Sequence, residues 1–173
     1  LKLGEQIWTC SGDSGLIIHT NSNRISGDLS LQNGEQKISF LGKDEKAFLS
    51  VDSLHLGPLA DFFVKGLQLD AELNLRTEYN SKDSEIALTG KITDIILDSI
   101  SLGYTAFNAN SGPLSTQFNL QSKSSAWSVS VDAKNSNDIT ELELSIDQLN
   151  LAKLDSVLDL ISKRYVDPIK TDT

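Results

Sequence analysis

Apolar and polar residues alternate along most of this chain, and the alternation sets the expected elements. Leu67, Leu69, Ala71, Leu73, Leu75 and Thr77 fall on one parity, and Gln68, Asp70, Glu72, Asn74, Arg76 and Glu78 on the other. Period two sends successive side chains to opposite faces, so this stretch predicts a strand about 40 Å long with one apolar face. Shorter stretches with the same period recur at 25–31, 36–41, 84–98, 116–121 and 127–133, with a weaker one at 104–110. Between the first two, Asn33-Gly34 supplies the positive-φ residues that a tight hairpin needs. Polar clusters at 80–83, 122–125 and 135–138 read as further turns. Ser11-Gly12-Asp13-Ser14-Gly15 reads as a turn too, between strands at 6–10 and 16–20.

One phrase occurs twice. Leu49-Ser50-Val51-Asp52-Ser53-Leu54-His55-Leu56-Gly57-Pro58-Leu59 returns as Leu144-Ser145-Ile146-Asp147-Gln148-Leu149-Asn150-Leu151-Ala152-Lys153-Leu154. Each copy alternates, slips by one residue, and then changes to helical spacing. A slip would turn the side chains over, so a bulge or bend is expected there. In the first copy Pro58 suits a first helical turn and Gly66 a C-cap, with Leu59, Phe62 and Phe63 on one helix face. In the second, Leu151, Leu154, Val157, Leu158, Ile161 and Tyr165 form an apolar stripe. Lys163 and Arg164 favour the last turn of that helix, and Pro168 stops it. Leu54 and Leu149, with Leu56 and Leu151, are expected at equivalent buried corners.

The expected fold is therefore mainly β: a long, curved antiparallel sheet, groove-like or sandwich-like, with two short helices near 58–65 and 151–165. The 173 residues suit a single β-rich domain or an excised segment of a longer protein, carrying the strand–helix repeat at 49–63 and 144–158. The absence of any Met favours the excised segment, with an anchor or signal outside it.

Charge narrows the partners. A net charge of −9 without a basic cluster argues against nucleic acid. No apolar run reaches the roughly 18–20 residues of a membrane span. Cys10 is the sole cysteine, and it reads as a small buried hydrophobe. His19 and His55 have no metal-ligand spacing around them. Asp52 and Asp147 form a conceivable carboxylate pair, but an Asp capping a bend accounts for the same repetition. Gly12-Asp13-Ser14-Gly15 lacks usable His and Asp partners for a serine nucleophile. No catalytic, metal or cofactor site is expected, and the chain reads as non-enzymatic.

Leu54-His55-Leu56-Gly57-Pro58-Leu59, the alternating 66–75, Ala87-Leu88-Thr89-Gly90-Lys91-Ile92 and the stretch 142–158 resemble the AsmA and TamB superfamily of bacterial envelope proteins. The resemblance covers most of 40–165. It implies a curved sheet whose apolar concave face takes up lipid acyl chains, in a periplasmic protein anchored in the inner membrane. Leu67, Leu69, Leu73, Leu75 and Leu88 are then the lipid-binding candidates, in lipid transport or outer-membrane assembly. The acidic balance and the helix at 151–165 depart from that family's continuous groove. The alternative is an interaction module that binds an envelope protein partner through a sheet edge.

Overall fold

The structure, a computed structural model, describes residues 2–3, 6–19, 24–63, 68–136 and 139–162. Two short strands, β1 (Lys2–Leu3) and β2 (Gln6–Ile7), pair with each other. Ten more follow: β3 (Thr9–His19), β4 (Arg24–Asn33), β5 (Gln36–Lys43), β6 (Lys46–His55), β7 (Leu69–Asn80), β8 (Glu85–Leu97), β9 (Ile100–Ser111), β10 (Ser115–Lys123), β11 (Trp127–Ser136) and β12 (Ile139–Leu149). They form one antiparallel sheet in unbroken chain order from β3 to β12, and the sheet does not close into a barrel. Helix α1 (Gly57–Phe63) connects β6 to β7, and α2 (Leu151–Ile161) follows β12. Strand accounts for 74% of the structure, so the mainly-β expectation holds. Of its two variants, the single open sheet is the one formed.

Tight turns enforce the meander. Gly34 and Glu35 connect the paired Asn33 and Gln36; Gly34 takes φ 59° as expected, while Asn33 stays in β4 and does not adopt positive φ. Other hairpins use no glycine, among them two with a two-residue turn at positive φ. Asp44 (φ 57°) turns Lys43 back to Lys46, and Asp98 and Ser99 (φ 48° and 76°) turn Leu97 back to Ile100. A short polar side chain lowers the strain of positive φ, which is why Asp serves here. The second of these hairpins starts β9 at Ile100, earlier than the sequence suggests.

Three expectations change. Ser11 to Gly15 is not a turn but part of β3, which passes through it with register shifts between Ser11 and Ser14 and between Ser14 and Ile17. Glycine and serine in a strand favour such bulges over a reversal. Cys10 is exposed rather than buried, because β3 is an edge strand with no neighbour beyond it among the described residues. The helices span 57–63 and 151–161, and Gly66, Lys163, Arg164, Tyr165 and Pro168 lie outside the described residues.

The repeated phrase does place a bulge at each slip. In β6 the ladder jumps from Val51–Leu75 to Leu54–Leu73, with Ser53 at φ 51° and its N–H held by Asn74 Oδ1 at 3.0 Å. In β12 it jumps from Ile146–Val129 to Gln148–Ser128. Each bulge keeps the apolar residues on both sides of the slip on one face.

Burial separates the two copies. Trp8, Val51 and Leu54 form the buried cluster, and Leu31, Ile38, Leu56, Leu59, Leu73 and Leu75 pack against it. Helix α1 sits tight on β7: the Leu56 N–H bonds Ala71 O at 2.9 Å, and a Cβ on Gly57 would meet Leu69 O at 2.6 Å. Leu54 is 7% exposed, whereas its counterpart Leu149 is 47% exposed, and Leu151 is exposed as well. The expected equivalence of the two corners therefore fails. Interior strand β6 is flanked by β5 and β7 and covered by Trp8 and Leu59, while β12 ends the sheet. Replacing Leu54 with Ala should cost about 2–5 kcal/mol in urea unfolding, whereas Leu149→Ala should stay within about 1 kcal/mol.

Candidate functional site

Residues directly opposite in a ladder share a face, so the register defines the two faces of the sheet. One row runs Leu29, Phe40, Leu49, Thr77, Leu88, Ala109, Phe118, Ala133, Leu142. The next runs Leu31, Ile38, Val51, Leu75, Gly90, Phe107, Leu120, Val131, Leu144. A third passes through Leu54, Leu73, Ile92, Thr105, Ser122, Val129 and Ile146. Alternation within single strands thus adds up to one apolar face across nine strands, about 40 Å wide at 4.8 Å per strand. Gly90 does not interrupt its row, because the Phe107 ring lies over it: a Cβ there would sit 2.3 Å from Phe107 Cζ.

The opposite face is mainly polar, although Leu41, Phe48, Ile96 and Ile139 stand exposed on it. Ser30, Ser39, Ser50, Arg76, Thr89, Asn108, Asn119, Asp132 and Glu143 form a continuous row. Within it Asn108 donates to Asn119, and Asn119 to Asp132. Arg76 reaches Asp52 at 2.6 Å and Lys46 reaches Glu78 at 2.7 Å. The hydrogen bond and charge of Glu78 raise the Lys46 pKa. Exposed pairs of this kind add little stability. Clefts of about 690, 450 and 480 Å³ open mainly among these polar side chains. Members of the apolar rows take part in two of these clefts, Phe118, Ala133 and Leu142 in the first and Val51, Leu75, Gly90 and Phe107 in the third.

Cover on the apolar face is uneven. Over β4 to β7 it carries Trp8 and α1. Toward β12 it opens: Leu142 is 72% exposed, Leu144 61% and Ile146 55%, and Phe118, two strands further in across Ala133, is exposed as well. The total accessible surface is 11792 Å², against about 8,300 Å² that size scaling gives for a compact chain of 18.9 kDa. The excess fits a sheet with one layer and little on its faces.

Of the sequence candidates, Leu69, Leu73 and Leu75 lie on β7 and Leu88 on β8, all on the apolar face and all half-buried. Leu73 and Leu75 pack against the buried cluster. Leu67, and the side chains of Phe62 and Phe63, lie outside the described residues. The most exposed residues of the three apolar rows, Leu142, Leu144 and Ile146, were not among the lipid-binding candidates from the sequence. Their signal was present as strict alternation at the end of the last strand.

The catalytic candidates do not assemble. Asp52 and Asp147 sit on strands six places apart in the sheet, about 29 Å at 4.8 Å per strand. Asp52 serves Arg76, and Asp147 accepts from Ser128 Oγ at 3.4 Å. His55 is exposed at the end of β6, its backbone N–H donating to Gln36 Oε1. Among the described residues no cluster of His, Cys, Asp and Glu could hold a metal ion, and no helix is long and apolar enough to cross a membrane.

No family model, curated protein or solved structure matches this chain. Function must be read from the surface itself. Replacing Leu142, Leu144 and Ile146 together with Ser should leave the melting temperature nearly unchanged, because the three already face solvent. The same variant should lose most of the fluorescence of a dye that binds apolar surface, and unchanged dye binding would place that surface elsewhere.

Proposed function

We propose that this chain is a non-enzymatic, lipid-handling segment of a bacterial envelope protein, acting in the periplasm and anchored through its parent chain. Its apolar sheet face takes up phospholipid acyl chains. The observation that carries this reading is the open part of the face, where Leu142, Leu144 and Ile146 stand exposed in a row along β12, with half-buried Val131 and Ala133 of β11 and exposed Phe118 of β10 continuing the surface. Contiguous apolar surface of this kind is rare unless something binds it. Burying a Leu or Ile side chain fully is worth roughly 1.5–3 kcal/mol, so covering even the exposed fraction of three neighbours offers a useful binding energy. An acyl chain matches the surface in shape as well, since it is long, flexible and without polar groups that would go unpaired. The resemblance to AsmA and TamB proteins points the same way, toward lipid movement or outer-membrane assembly.

Leu73 and Leu75 belong to the inner, covered end of this face, and Leu88 lies between the two ends. Uptake would begin at β10 to β12. A photo-crosslinking residue at Leu144 should capture phospholipid in bacterial cells, and one at Glu143, on the polar face of the same strand, should not. Equal yields at the two positions, or no lipid at either, would contradict the proposal.

A further inference from the structure

The two edges of the sheet are built differently. At one end β3 changes register twice against β4, and bulges of this kind blunt an edge against further pairing. At the other end β12 pairs with β11 without interruption from Ile139 to Ile146 and shifts only at the Asp147 bulge. It contains no proline and no lysine. Its outward N–H and C=O groups therefore form a regular template about eight residues long, with no strand beyond it among the described residues.

The internal repeat shows what such a template accepts. In the first copy, β7 returns antiparallel along β6, placing Leu75 and Leu73 beside Val51 and Leu54. The same strand brings Arg76 to Asp52 at 2.6 Å. The counterparts in the second copy are Ile146, Leu149 and Asp147, and all three are exposed. On the polar face of β12, Glu141, Glu143 and Asp147 line up, and Glu143 stands directly across from Asp132 of β11. Like charges directly opposite each other destabilise a ladder. A cation on the open side would relieve this.

We propose that β12 is a docking edge for an antiparallel strand of a partner polypeptide, one in which apolar residues alternate with Arg or Lys. The apolar side chains would lie beside Leu142, Leu144 and Ile146, and the basic ones beside Glu141, Glu143 and Asp147. A second copy of this chain fits poorly. Pairing β12 with itself sets acidic side chains beside acidic ones, and β3 carries no Lys or Arg. The inference does not rest on lipid uptake, because the edge backbone and the acidic side chains carry it whether or not acyl chains reach Leu142, Leu144 and Ile146.

A ten-residue peptide alternating Val and Lys tests it against the full chain, by calorimetry. Two further peptides are N-methylated at alternate amides, one along each peptide edge, which removes pairing on that edge and preserves charge. The expected result is binding of the parent peptide and of one methylated isomer only. Glu143→Lys, with unchanged melting, should weaken binding about two- to fivefold, the scale of one cross-strand charge pair. The proposal is overturned by any of four results: no binding, equal binding of both methylated isomers, indifference to Glu143→Lys, or a dimer through β12 that excludes the peptide.

Discussion

A single-layer sheet with one apolar face must have that face covered, and in this chain the cover reaches only part of it. Hydrogen bonding already satisfies the backbone from β3 to β12, so the strands need no second layer to form a ladder. What remains is the apolar surface produced by period-two alternation in nine successive strands. Trp8 and α1 cover it where β4 to β7 pass beneath. Helix α1 is seven residues long, about 10 Å at 1.5 Å per residue, and it cannot reach across nine strands.

The repeat links this shortage of cover to function. Both copies bend at a one-residue bulge and enter a helix, and both carry Leu, Asp and Leu at matching places. The first copy is completed by the strand that follows its helix, which pairs with β6, buries Leu54 and neutralises Asp52. The second copy ends the sheet with the same residues in the open. Its apolar and acidic side chains lie on opposite faces of β12, and they support two separate proposals: acyl chains on one face, and a basic, alternating strand along the edge. Both would complete what β7 completes in the first copy.

Strand content, the antiparallel meander, the bulged corners and both helices could be read from periodicity and turn chemistry. Turns built on Asp44 and on Asp98-Ser99 could not, because positive φ without glycine leaves little trace in the letters. Ser11 to Gly15 misled for the opposite reason, since residues that favour turns also favour bulges. The site was legible as a face but not as a location. Alternation marks Leu73 and Leu144 equally, and only their places in the strand order decide that one lies near cover and the other does not. Cys10 changed from buried to exposed for the same reason, a neighbour missing at an edge. The order of the strands is a tertiary fact, and single-strand patterning does not carry it.

Ile139 and Leu144 offer the most direct test of this account. They are on the same strand with nearly equal exposure, 64% and 61%, but on opposite faces. Methyl spectra recorded with phospholipid bearing a spin label near the end of its acyl chain should show strong broadening of Leu142, Leu144 and Ile146. Ile139 and the buried Val51 and Leu54 should stay sharp. Equal broadening of Ile139 and Leu144, or none at either, would contradict the claim that the apolar face of this sheet is an open lipid-facing surface.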